Sequence, residues 1–230
     1  MALITIKPRF DIGPMFVLAP ERYDPRRDSL KNGTNVKTVV LGNIASSVRQ
    51  TISPLRRDIG KNRYVVLDTS DVREGIVIGK KQPLELSALG SAKKRLQPND
   101  VLISRLRPYL RQVAFVDNDL ISENGADLLC STEFFILRPK TEESIAFLVP
   151  FLLSAPVQKV LSASQEGGHH PRFGEDVLLT LPIPDQLLDT RVDTSNEVIQ
   201  GVAAYRRSER TLTQLIEVAE SAMKVTKVII

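Results

Sequence analysis

A single cysteine, Cys130, leaves this 230-residue chain without an internal disulfide or a multi-cysteine zinc cage. Its flanks, "LLC-STEFF", read as a strand, so the thiol is expected to be buried and structural rather than nucleophilic. A reducing compartment is the simpler reading. No apolar run reaches the ~18 residues needed to span a bilayer. The opening "MALITIKPRF" is broken by Lys7 and Pro8 before a secretory h-region could form. The chain is therefore expected in the cytoplasm, with no membrane partner. Catalytic signatures are missing too: there is no Gly-x-x-x-x-Gly-Lys-Ser/Thr loop, no His-Glu-x-x-His helix and no Gly-x-Ser-x-Gly elbow. A methyltransferase would need a glycine-rich cofactor loop and an Asn/Asp-Pro-Pro-aromatic motif, and the sequence has neither.

Histidine is as scarce as these motifs. The two that occur, His169 and His170, are adjacent, in "SQEGGHHPRFGEDVLLTLPIPD". Neighbouring side chains diverge in an extended segment, and catalytic zinc usually takes about three protein ligands. No metal and no cofactor is expected. A freestanding enzyme centred on His169 and His170 is the weaker alternative to a polar loop held between a helix and a strand.

What the chain does have is segregated charge. The excess is small, 31 basic against 27 acidic residues. Residues 91–111, "SAKKRLQPNDVLISRLRPYLR", carry six bases and one acid, and residues 49–63 carry five and one. Residues 112–133 carry five acids and no base. Such separation suits a polyanion-binding face, although a solvated surface would also show it.

The first 35 residues look irregular, with few periodic apolar positions. After them, "RYVVLDTSDVREGIVIGK" predicts two strands around a polar turn, and "DVLISR", "QVAFVD" and "STEFFILRPK" predict three more. From residue 141 the spacing turns helical through Ile145, Leu148, Val149, Leu152, Val157, Val160 and Leu161, with Pro150 and Pro156 starting, kinking or separating shorter helices. "DVLLTLPIP" reads as a closing strand. Beyond residue 190 there is no proline, and Val198, Val202, Tyr205, Glu209, Leu212, Ile216, Ala219 and Met223 step by four and three in a heptad seam. That helix would be ~45–50 Å long and calls for a partner, either a second helix or its own domain. The expected class is α+β: a mostly β domain with a few short helices over residues 1–190, including an irregular arm over 1–35, then one long helix over 191–230.

Taken in order, "YVVLDTSDVREGIV", "LQPNDVLISRLRPYLRQVAFVD" and "CSTEFFILRP" resemble the target-recognition domain of type I restriction–modification specificity subunits. "FLVPFLLSAPVQKVL" is similar to the helix that comes next in that family, and "GGHHPRFGEDVLLTLPIPD" to its junction with the spacer helix. "RYDPRR" resembles a start common in related domains. The resemblance runs over residues ~20–224. It departs in two ways: full subunits have two recognition domains and two spacer helices, and the usual Pro-Leu-Pro-x-x-x-Gln segment is here "PIPDQLLD".

The resemblance implies a non-catalytic protein that grips duplex DNA, reads half of a split target and positions a methyltransferase subunit, with a restriction subunit in a full assembly. A half-sized subunit can regain two-fold symmetry by pairing its helix with a second copy's, giving a homodimer. A specificity-like adaptor in another phage-defence assembly, acting through protein contacts, is the alternative. Candidate DNA-binding residues are Lys80, Lys81, Lys93, Lys94, Arg95, Arg105, Arg107 and Arg111, with His169, His170 and Arg172 from the junction loop. Arg105, Arg107 and Arg172 are the expected guanine readers. For Tyr109, packing in the core or at the rim is the commoner role and stacking the alternative.

Overall fold

The computed structural model describes residues 4, 6–12, 23–28, 30, 37–54, 63–78, 81–122, 126–167 and 169–226. Its centre is the antiparallel sheet β2-β11-β8-β9, built from β2 (Ala45–Ser47), β8 (Val101–Ser104), β9 (Val113–Phe115) and β11 (Phe134–Pro139). β8, β9 and β11 read as nearly continuous apolar runs because both faces are covered, whereas β2 is a short polar edge strand. Val101, Ile103, Val113, Phe115, Phe135 and Leu137 enter one core cluster; Leu102, Ala114, Phe134 and Ile136 enter another. The alternation is the period of two that a pleated strand imposes.

The second cluster is closed by a second sheet, β6-β3-β10-β7: β3 (Arg63–Leu67), β6 (Leu84–Glu85), β7 (Lys93–Arg95) and β10 (Asp127–Ser131). β10 runs parallel to β3, and the crossover between them carries the hairpin β4 (Val72–Arg73) and β5 (Ile76–Val77) as well as β8 and β9. Gly75, at φ +104°, makes that hairpin's turn. Cys130 on β10 is fully buried, and burial pushes its thiol up to about 12, so it stays protonated and inert at neutral pH. Asp100 is also fully buried at the start of β8, where both carboxylate oxygens accept from Arg138 at 2.8 Å.

The first cluster is closed by helices: α1 (Leu41–Ile44), α3 (Leu148–Leu153), α4 (Ala155–Ala163) and α5 (Glu175–Leu179). A short α2 (Asn118–Ser122) follows β9. A two-stranded antiparallel pair joins β1 (Thr38–Val40) to β12 (Pro182–Pro184). Then α6 (Asp185–Asp189) leads into α7 (Arg191–Thr226). The architecture is α+β, a two-sheet body with helices on one side and a long final helix. No helix among the described residues is long and apolar enough to cross a membrane.

One sequence expectation needs correction, and two others gain detail. The strand expected over "DVLLTLPIP" is instead helix α5, then β12; Glu175 and Asp176 occupy its first turn, where acids suit a helix N-terminus. The helical region after residue 141 is divided by the extended Ser154, with Pro156 in the first turn of α4 and Pro150 inside α3. Within the 1–35 arm, the described residues include two 3-10 turns, Arg9–Asp11 and Pro25–Asp28, and the second packs against α4.

α7 is held to the body over its first half. Arg191 pairs with Glu143 at 2.9 Å. The buried Ser195 hydroxyl accepts from the Phe147 amide at 3.1 Å and donates to the Ser144 carbonyl at 3.3 Å. Val202 enters the first cluster, with Val198 and Ile199 packed against it. Arg206, only 3% exposed, donates to the Val77 carbonyl at 2.8 Å and lies 3.4 Å from Asp117. Arg210 pairs with Asp119 at 3.3 Å. Beyond it, Leu212, Leu215, Ile216, Val218 and Met223 are all exposed.

Candidate nucleic-acid interface

The β8–β9 connection and the α4–α5 connection lie side by side. β8 and β9 are still paired at Ser104 and Gln112, where an amide-to-carbonyl bond of 2.9 Å closes the loop 105–111. The second loop is pinched where the amides of Glu166 and Arg172 each donate to the other's carbonyl at 2.9 Å. Gly167, at φ +103°, allows this tight path, and His169 and His170 are exposed at the tip. A bridge between Leu106 and Arg172, and a bond from the Phe173 amide to the Arg105 carbonyl, stitch the loops together.

Glu133, in the turn between β10 and β11, is the electrostatic centre of this edge. It accepts from Arg105 Nε at 3.1 Å and from Arg172 through Nε at 2.9 Å and Nη2 at 2.7 Å. The hydrogen bond from Arg172 is the main reason the Glu133 carboxyl is held below the usual glutamate range, with Arg105 helping against partial burial. Two guanidiniums on one carboxylate leave a net positive charge. The arginines are not equivalent. Arg172 also donates Nη1 to the His170 carbonyl at 2.8 Å, so its fork is committed to holding the loop. Arg105 commits only Nε to an ion pair, and Arg107 has no ionic partner among the described residues. In this arrangement Arg172, expected as a guanine reader, braces the loop.

The remaining candidates scatter. Lys94 is corrected outright. It is 9% exposed, donates to the Phe134 carbonyl at 2.9 Å and lies 5.8 Å from the centre of the Phe135 ring, so it cannot meet a phosphate from there. Desolvation is the main reason its ammonium pKa is lowered. Arg111 is a strut, from Nε to Glu74 and from Nη1 to the Leu153 carbonyl, each 3.0 Å. Lys81 pairs with Asp68 and Asp71, and Arg95 with Asp127. Lys93 donates to Ser91 at 2.6 Å. Lys80 lies outside the described residues. Tyr109 is not core: 65% of it is exposed.

Two contributors escaped sequence reasoning. Glu133 looked like one acid of a strand motif, yet it collects arginines 28 and 39 positions away. Arg49, from the other basic segment, pairs with Glu175 at the start of α5, three residues beyond Arg172. Nothing local in the sequence marks either contact.

The eight seam residues of α7 also divide. Val202 is buried, and Val198, Tyr205 and Glu209 are half-buried; Leu212, Ile216, Ala219 and Met223 are exposed. Of the two partners the seam called for, the body covers the proximal half, and the distal half is exposed.

The fold is an α+β domain with an appended long helix. The same fold occurs in solved type I restriction–modification specificity subunits. The chain is 24% identical, with a TM-score of 0.56, to a chain in a structure of complex assembly and conformational transition of the type I R-M system, covering 79% of this chain and 47% of that one. It is 20% identical, with a TM-score of 0.50, to the HsdS subunit from Thermoanaerobacter tengcongensis, covering 84% of this chain and 47% of that one. It thus spans about half the length of each. No family model and no curated protein matches.

Proposed function

We propose that this chain is a non-catalytic specificity subunit that reads one half of a split duplex DNA target and positions a methyltransferase subunit on it, as in type I-like restriction–modification. The observation that carries this reading is the joined loop edge: exposed Arg107 and half-buried Arg105 lie on a loop bridged at Leu106–Arg172 to the loop of His169 and His170, and Glu133 pairs with both Arg105 and Arg172 across the joint. A planar donor fork on a fixed loop is suited to the O6 and N7 acceptors of guanine in the major groove. Lys93 and Arg49 would add phosphate contacts, which makes binding fall steeply with salt. The fold likeness to specificity subunits supports the same reading.

The exposed distal stripe of α7 supports pairing with a second copy, giving a homodimer in which each copy reads one half-site. The experiment is DNA selection with purified protein, then gel shift. The double variant Arg105→Ala, Arg107→Ala is expected to lose sequence-selective binding while its circular dichroism melt stays unchanged. Unaltered affinity with an unaltered melt refutes the assignment.

A further inference from the structure

The loop 105–111 carries a feature that charge reading does not absorb. Its tip is the 3-10 turn Pro108–Leu110, entered by Arg107 at φ 44° and left by Arg111 at φ 53°. Both residues are non-glycine yet left-handed, a conformation that persists only where the surroundings enforce it. Here the surroundings do. Pro108 is buried, the turn packs against α4, and Arg111 is tied to Glu74 and to the Leu153 carbonyl. The Leu110 amide to Arg107 carbonyl bond (2.9 Å) and the Arg111 amide to Pro108 carbonyl bond (2.8 Å) close the turn. The rigid base holds out two large side chains, Tyr109 at 65% and Leu110 at 44% exposure.

We infer that Tyr109, backed by Leu110, is a wedge that stacks into a base step of the bound duplex and kinks it. The inference rests on the DNA reading proposed above. Exposed apolar groups on a braced turn lose little conformational freedom on insertion, and proteins that insert such wedges partly unstack one step and bend the helix. Charge decides the occupant. Arg107 adjoins the pair without an ionic partner among the described residues, and Arg105 precedes it at the same edge, so the wedge is delivered where phosphates are drawn in. A protein docking on the same tip is the competing outcome.

Such a residue sets specificity through deformability: flexible pyrimidine–purine steps would be favoured at the wedge although no hydrogen bond reads them. The test uses the duplex recovered by selection with the wild-type full chain, carrying 2-aminopurine at successive positions and a dye on each end. Wild type is expected to raise 2-aminopurine fluorescence at one step and shorten the end-to-end distance. Tyr109→Ala should abolish both, weaken binding roughly ten- to a hundredfold, as loss of one aromatic–base stack does, and leave the salt slope unchanged. Tyr109→Phe should retain both signals. Wild-type binding without unstacking or bending overturns the inference and leaves the DNA reading standing. So does a Tyr109→Ala variant that keeps both signals, or one that keeps DNA affinity but loses a methyltransferase partner. Selection that enriches no sequence refutes the DNA reading and the wedge together.

Discussion

Replacing Arg206 by alanine should loosen α7 from the body without touching the loop edge around Glu133. The guanidinium is almost completely enclosed, with Nη1 2.8 Å from the Val77 carbonyl and 3.4 Å from Glu209, and Nε and Nη2 each 3.4 Å from Asp117. A hydrogen bond to a charged donor contributes about 1.5–3 kcal/mol. Breaking a buried ion pair costs about 3–5 kcal/mol, because the abandoned partner stays desolvated. The Asp117 contacts are long and its side chain retains 11% exposure, so the lower part of that range applies. About 2–4 kcal/mol is the expected loss. For a chain of this size each kcal/mol shifts Tm by about 2–4 °C, which gives a fall of about 4–16 °C. Hydrogen exchange should find the drop concentrated in amides of the α7 segment around residues 203–212, with those of β8 and β11 changed less. Arg206→Lys restores charge without the fork and should recover only part of the protection. A melt within about 1 °C of wild type, with unchanged exchange along α7, would falsify the view that this arginine pins the helix.

Two further expectations concern separate parts of the molecule. Leu212→Asp with Ile216→Asp should turn a dimer into a monomer in sedimentation velocity, while leaving the melt of the dilute protein unchanged, since both side chains are exposed in a single copy; a dimer that survives both substitutions rules out distal-stripe pairing. Glu133 gives a pH signature. Its folded value lies below the unfolded one, so its stabilisation is complete above the ordinary glutamate value of about 4.3 and disappears as pH falls through the depressed folded value. Amide protection at Arg172 and Phe173 should therefore fall in acid for wild type and stay flat with pH for Glu133→Gln; parallel profiles would count against the Arg–Glu–Arg brace.

The central strands were legible because burial on both faces makes them unbroken apolar runs, as in "VLIS" and "FFIL". The same property hid α5. Val177, Leu178 and Leu179 form a run that reads as strand, but only Leu178 is buried and the run wraps a single helical turn and a half. Lys94 was illegible for a different reason. Next to Lys93 and Arg95 it looks like surface, and only the pairing of β7 with β10 turns it inward, toward the Phe134 carbonyl. The basic loop was found from composition, yet the division of labour inside it was not. Which arginine is committed to a brace depends on Glu133, and that carboxylate arrives through a sheet register fixed by β11 against β8.

The heptad seam shows the limit of periodicity most clearly. Steps of four and three identify which face of α7 is apolar, but not what lies against it. Along one unbroken stripe the cover changes from the domain to solvent between Glu209 and Leu212, where the polar seam position and the Arg206 and Arg210 ion pairs mark the edge of the body. That division gives the helix a mechanical role. A helix attached by a flexible joint would let two paired copies place their reading edges at many separations. Contacts from Arg191 to Arg210 tie the helix to the body that carries the loop edge. Residues 211–226 then project ~24 Å at 1.5 Å per residue. In a dimer built on that stripe, the distance between half-sites is set by helix geometry rather than by chain entropy. On the proposed DNA reading, a dimer of this kind selects a split target of one fixed spacing, and Arg206→Ala is expected to broaden the spacings recovered by DNA selection; an unchanged spacing would count against the clamp's role.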